Sequence, residues 1–172
     1  VRDVIVAETD LPIKLTAQEE DLLAIARRAA MDSCDLSRKV GAVLVDSDGR
    51  IVVAACNTIP EGIEHTPDLL ARPAKYDWTL HAEVNAVLEA ARTPGKSADG
   101  CTMILPWFPC KGCALIIAGS GVQRVVAPYP DLGDPNWGPE FVIALDILRR
   151  KGVVFDHFQD TAPPPQRRDD ND

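Results

Sequence analysis

The sequence predicts an α/β fold: a three-layer α/β/α arrangement in which one five-stranded mixed sheet carries helices on both faces. Two observations lead there. Apolar runs of strand length alternate with apolar stretches of helical length in the order α, β-hairpin, α, β, α, β, α, β. The chain has 172 residues, 46% of them hydrophobic and 26% charged, which suffices for one core and one domain.

The elements follow in order. Residues 1–15 mix β-branched residues with charges and Pro12, and no period predicts an element there. Thr16-Ala17-Gln18-Glu19 has capping-box spacing, and Leu22, Leu23, Ile25, Ala26, Ala29 and Ala30 then recur at helical intervals, predicting a helix to about Asp32. Residues 40–45 and 51–56 are β-rich runs joined by Asp46-Ser47-Asp48-Gly49, a turn whose glycine can take positive φ. That is a hairpin, and its continuous apolar runs predict burial on both faces. Residues 58–79 carry Pro60, Gly62, Pro67 and Pro73 among charges and aromatics and predict a long irregular segment, of the length that is usually functional or disordered. Residues 81–91 are helical and apolar nearly all round, which predicts a buried helix, ended by Thr93-Pro94-Gly95. A strand at 101–105, a second buried helix at 110–118 stopped by Gly119, and a strand at 121–127 come next. After a Pro/Gly/Asp-rich loop, Pro139 opens a helix reaching about Lys151, and 153–155 form the last strand. Residues 160–172, with Pro163-Pro164-Pro165 and then polar residues, hold too little apolar surface to order themselves and predict a tail.

Charge and cysteine content narrow the function. Lys and Arg number 18 against 26 Asp and Glu, a formal charge of −8. A protein gripping a long nucleic-acid backbone needs the opposite balance, to displace condensed counterions. A small anionic ligand needs only a few local donors. No run of about 20 apolar residues predicts a membrane helix, and charge interrupts the N-terminus too soon for a signal-peptide apolar region. A cytoplasmic location is expected. Five cysteines, an odd number without a secretory signal, argue for metal ligation or burial over a disulfide framework.

The informative residues are His81-Ala82-Glu83 and Pro109-Cys110-Lys111-Gly112-Cys113, each opening one of the two buried helices. Cys110 and Cys113 share a helical face, and thiolates at a helix N-terminus are favoured by the positive end of its dipole. Two thiolates with a neutral imidazole offset the charge of Zn²⁺ and leave the fourth position open to water. A closed structural site would need another Cys or His at zinc spacing, and Cys34, Cys56, Cys101, His65 and His157 do not provide it. A carboxylate near the start of so apolar a helix is costly unless paired or used. Beside an acidified water, Glu83 has a use as a proton shuttle. Residues two apart in a regular helix point to opposite sides, so His81 and Glu83 meet only if His81 sits at the cap, just outside helical φ/ψ.

His-x-Glu followed by Pro-Cys-x-x-Cys is the signature of zinc nucleobase deaminases. The likeness extends through Val40-Gly41-Ala42, Asn57, Lys75-Tyr76, His81-Ala82-Glu83-Val84-Asn85-Ala86, Gly100-Cys101-Thr102-Met103, Phe108-Pro109-Cys110, Cys113-Ala114 and Gly121-Val122. Over residues 16–158 the chain resembles the deoxycytidylate (dCMP) deaminase branch of the cytidine deaminase superfamily. The resemblance implies a cytidine-deaminase-like domain at 16–158, an N-terminal extension at 1–15 and a disordered polar tail at 159–172. It implies hydrolytic deamination of a cytosine nucleotide, dCMP to dUMP with release of ammonia, as the first reading. His81, Cys110 and Cys113 would hold zinc, its hydroxide would attack C4, and Glu83 would protonate N3 and then the leaving ammonia. Asn57 would contact the sugar, Val40, Ala82 and Pro109 would frame the base, and Arg38 would stand near the phosphate. It also implies a homo-oligomer. The chain departs from the usual Gly-Tyr-Asn-Gly of members at Ala55-Cys56-Asn57-Thr58. The same chemistry on a nucleoside, free base or other amino-heterocycle is the alternative, and a non-catalytic zinc-stabilised nucleotide-binding module is disfavoured by Glu83. Long nucleic acid and membrane are not expected partners.

Overall fold

A computed structural model describes residues 11–160. The expected N-terminal extension is therefore seen only from Leu11, and the polar tail beyond Asp160 lies outside the described residues. Helix α1 spans Ala17–Ala29 and tightens into a 3₁₀ turn at Ala30–Asp32. The capping box forms as the sequence predicts: Thr16 Oγ1 accepts from the Glu19 backbone N–H at 3.2 Å, and Glu19 Oε2 accepts from the Thr16 N–H at 2.9 Å. Strands β1 (Gly41–Val45) and β2 (Ile51–Cys56) form the hairpin. Two short helices follow, α2 (Pro67–Leu70) and α3 (Lys75–Trp78). The remainder alternates: α4 (Ala82–Arg92), β3 (Thr102–Ile104), α5 (Lys111–Ser120), β4 (Arg124–Pro128), α6 (Gly138–Lys151) and β5 (Val154–Phe158).

The sheet is mixed, in the order β2-β1-β3-β4-β5, with β1 antiparallel to both neighbours and β3, β4 and β5 mutually parallel. Register sorts the side chains into two cores. Leu44, Met103 and Val125 stand opposite one another along the ladders and face α4, α5 and α6. Val43, Ile104 and Val126, one residue along each strand, face α1 with Leu22, Leu23 and Ala26. Helices thus cover both faces, as the alternation predicts. Helix α1 lies against the backbone of β1: a Cβ on Gly41 would stand 1.9 Å from the Ala26 carbonyl oxygen, so glycine is the residue that fits.

The structure corrects four details. Strand β1 is buried throughout, but β2 alternates, with Ile51 45% exposed, because it is the sheet edge and only its inner side is covered. Helix α5 does not stop at Gly119. It runs to Ser120 and ends at Gly121, whose φ of 86° supplies the left-handed cap. The last strand extends to Phe158, since β5 pairs with β4 over that length. The segment expected to be irregular contains α2 and α3, and its ends are pinned together by Thr58 and Leu80, which exchange backbone hydrogen bonds of 3.1 and 2.9 Å. Among the described residues no helix is long and apolar enough to cross a membrane.

Candidate active site

Helices α4 and α5 pack against each other on one face of the sheet, and each begins on a candidate ligand. His81 is the N-cap of α4 at φ −68°, ψ 154°, and Cys110 is the N-cap of α5 at φ −71°, ψ 170°. Both are extended, so the chain turns into the helix immediately after the ligand. This removes the geometric objection to pairing His81 with Glu83. Cys113 follows one turn into α5 and is buried.

The three donor atoms converge. His81 Nδ1 lies 3.3 Å from Cys113 Sγ and 3.6 Å from Cys110 Sγ, and the two sulfurs are 3.6 Å apart. A tetrahedral zinc with ordinary Zn–S and Zn–N bonds places its ligands about 3.8 Å apart for sulfur–sulfur and about 3.6 Å for sulfur–nitrogen. The donor triangle therefore fits a zinc ion in size and in chemistry, and among the described residues no other group of three such side chains comes together. Electrostatics agree. The hydrogen bond from the Cys113 thiol, with the His81 imidazole on its other side, draws Cys110 down to about 4, and Cys110 in turn lifts His81 to about 9. Cys113 is pushed well above the ordinary thiol range by the neighbouring Cys110 and by burial. At neutral pH His81 and Cys113 hold protons while Cys110 does not, and a divalent cation would take the place of those protons.

Glu83 points into the same space from the first turn of α4. It is 5% exposed, and its carboxyl interacts with the neighbouring Cys113 thiol. Burial holds its pKa above the usual carboxylate range. A cavity of about 80 Å³ opens over these groups. Arg38, Val40, Asn57 and Ala82, all expected from the sequence, line it. Pro109 does not: it is fully buried, while its neighbours Phe108 and Cys110 line the cavity. The guanidinium of Arg38 stacks 4.8 Å above the ring of Trp107, which fixes one side of the mouth. A second chamber of about 280 Å³ adjoins the first and shares Arg38, Lys75, Tyr76 and Trp137 with it, while Arg72 and Asn136 complete its wall.

Sequence reasoning missed Asp35 and, as a site residue, Lys75. Both line the cavity, and their side chains are 5% and 6% exposed. Lys75 Nζ donates to Asp35 Oδ1 and Oδ2 at 2.8 and 2.7 Å and to Ser37 Oγ. The available signal was a lysine inside a proline-rich segment next to the His-x-Glu motif. Trp137 and Phe141 also belong to the cavity wall, brought there by α6.

Residues 16–128 match the family described as the cytidine and deoxycytidylate deaminase zinc-binding region. This chain belongs to that family. The deaminase is 34% identical over 145 residues to the deoxycytidylate deaminase of Homo sapiens, covering 81% of this chain and 78% of the relative. It is 35% identical over 122 residues to an uncharacterized deaminase of Aliivibrio fischeri, covering 70% and 80%. Among solved structures, the dCMP deaminase of cyanophage S-TIM5, in complex with dCMP and dUMP, superposes with a TM-score of 0.66 at 25% identity, covering 84% of this chain and all of that one. The deaminase is thus a hydrolase with the cytidine-deaminase-like α/β fold and the zinc-binding region of its family.

Proposed function

We propose that the protein hydrolyses the exocyclic amine of a cytosine nucleotide, converting dCMP to dUMP and ammonia, with residues 16–158 as the catalytic unit. The observation that carries this reading is the convergence of His81 Nδ1, Cys110 Sγ and Cys113 Sγ beside a cavity that His81, Cys110 and the buried Glu83 line. His81, Cys110 and Cys113 would hold zinc, which supplies acidification of water for attack on carbon. Glu83 lines the cavity in which a ring would sit. It would take the proton of the attacking water and deliver it to N3 of the ring, then take the proton of the hydroxyl added at C4 and pass it to the amine, which leaves as ammonia. Phe108 and Trp107 supply apolar and aromatic wall for a planar base, and the Ala82 backbone lies beside it.

A nucleotide tail fits the second chamber. Arg38 and Arg72 face it, which gives an acidic protein the local cationic pocket a monophosphate needs. The dCMP and dUMP bound to the cyanophage relative support the same substrate. The test is ammonia release by zinc-loaded protein from cytosine, cytidine, deoxycytidine, CMP and dCMP. Turnover confined to the phosphorylated compounds is expected, and dCMP inert beside an active nucleoside or base would overturn the reading. The second reading, another amino-heterocycle, draws on the fold likeness to a Thermotoga maritima diaminohydroxyphosphoribosylaminopyrimidine deaminase/reductase, at a TM-score of 0.56 and 25% identity, of which this chain covers 36%. A homo-oligomer working in the cytoplasm, with no long nucleic acid as partner, completes the proposal.

A further inference from the structure

Asn57 closes the end of β2, is 6% exposed and lines the cavity. Its side chain is bonded on every side the protein offers. Both amide hydrogens are committed, one to the Arg38 carbonyl at 2.9 Å and one to Asp35 Oδ2 at 3.3 Å. Oδ1 accepts from the Val40 backbone N–H at 2.8 Å. Only an oxygen can meet the Val40 N–H, and only the NH₂ can meet a carbonyl and a carboxylate, so the orientation of the amide is unambiguous. What Asn57 has left to offer a ligand is the second lone pair of Oδ1.

Asp35 enforces that orientation and Lys75 holds Asp35. The Asp35 Oδ1 accepts from the backbone N–H groups of Ser37 and Arg38 at 2.8 and 3.0 Å, which fixes the carboxylate plane. Lys75 reaches across from α3, bridges both carboxylate oxygens and Ser37 Oγ, and has no donor left for a ligand. The loop carrying Arg38 and Val40 is thereby locked to the end of β2 and to the segment before His81.

We infer that Lys75 and Asp35 are positioning residues that set substrate specificity by holding Asn57 as a pure hydrogen-bond acceptor, so that the site selects substrates presenting a hydroxyl donor at that point. The inference rests on the nucleotide reading above, in which the donor is a sugar hydroxyl. A substrate lacking the hydroxyl leaves the second lone pair without its partner, and such a loss is selected against more strongly than a lost apolar contact.

Asp35→Asn tests it with almost no change of shape. The backbone donors of Ser37 and Arg38 claim the single remaining oxygen, so the new NH₂ stands where Oδ2 was, donor against donor with the Asn57 amide and the Lys75 ammonium. The wild type is expected to favour dCMP over 2′,3′-dideoxy-CMP by about tenfold or more in kcat/KM. In Asp35→Asn the KM for dCMP is expected to rise about tenfold with kcat within about threefold, and the preference to fall to within about twofold. Ser37→Ala, which removes one partner of Lys75 and one hydroxyl donor to Asp35 while leaving the carboxylate, keeps the test open if Asp35→Asn does not fold, and is expected to move KM and the preference in the same direction by about twofold. Hydrogen exchange of the Asn57 side-chain amide, followed by NMR, reads the lock without any substrate: slow in the wild type, fast in the variants. Folded variants with unchanged KM, preference and amide exchange overturn the inference, as does a wild type indifferent to the missing hydroxyl. A wild type inert on dCMP with the exchange pattern as expected would instead overturn the substrate reading alone.

Discussion

His81 and Cys110 hold the same place in two neighbouring helices: each is an N-cap in extended conformation, and their Nδ1 and Sγ atoms stand 3.6 Å apart. Neither side chain caps its own helix with a hydrogen bond. Both helices therefore direct their positive ends, with their unpaired N–H groups, at the place where the thiolates and the attacking oxygen would carry negative charge.

Proton bookkeeping follows from that cluster. At pH 7 His81, lifted to about 9, and Cys113, pushed up, hold protons, while Cys110, drawn down to about 4, does not. Zinc uptake should release about two protons per ion, and the association constant should rise about 100-fold per pH unit between pH 6 and 8. Competition titrations against a chelator at three pH values measure the slope. A flat profile would contradict the proposed ligand set.

Glu83→Gln removes the proton shuttle and leaves the ligands. Zinc content by elemental analysis should be unchanged while turnover falls at least about 10³-fold. Stability should move the other way. Burial raises the Glu83 pKa, so its contribution is present below the unfolded value and is lost as pH rises through the folded one. In metal-free protein at pH 7 the variant should melt no lower than the wild type, and above it by calorimetry.

The buried Asp35–Lys75 pair has the opposite sign. Burial alone would raise Asp35, but Lys75 and the Ser37 and Arg38 backbone N–H groups outweigh it and hold the carboxyl below its usual range. Its contribution is present above the unfolded value of about 3.9 and is lost as pH falls through the lower folded value. Lys75→Met should cost about 3–5 kcal/mol in urea unfolding at pH 7, because it strands a buried charge, and the deficit should shrink as pH falls below about 4. An equal deficit at pH 7 and pH 3 would exclude the ion pair as its cause.

Arg72→Ala should raise the KM for dCMP about tenfold or more while leaving any turnover of deoxycytidine unchanged, since Arg72 lines only the second chamber, where the tail would sit. Equal losses on both substrates would place Arg72 outside tail binding.

Gly41→Ala tests the seat of α1 on the sheet. The new methyl would meet the Ala26 carbonyl at 1.9 Å, a backbone atom that cannot swing away, so a loss of more than about 2 kcal/mol is expected by denaturant unfolding. Stability equal to wild type would mean that α1 can shift freely.

The sequence alone determined the alternation of elements and the His-x-Glu and Pro-Cys-x-x-Cys motifs, because periodicity, caps and ligand spacing are local properties of the chain. Its expectation that α4 and α5 are buried all round does not hold: Leu88 of α4 and Leu115 and Ile116 of α5 are exposed, because each helix packs only one face on the core. The sequence did not reveal that β2 is an edge, since an apolar run reads the same whether one face or two are covered. Nor did it reveal that Gly121 and not Gly119 ends α5, since both are glycines and only the one forced to positive φ by the return of the chain is the cap. The ligand triangle needed the adjacency of α4 and α5. The Asp35–Lys75–Asn57 lock needed more: it joins residues 40 and 22 positions apart, and pairing over such distances leaves no spacing rule in the chain. Local order is written residue by residue, whereas which buried polar groups meet is decided only when the sheet closes and each must find a partner.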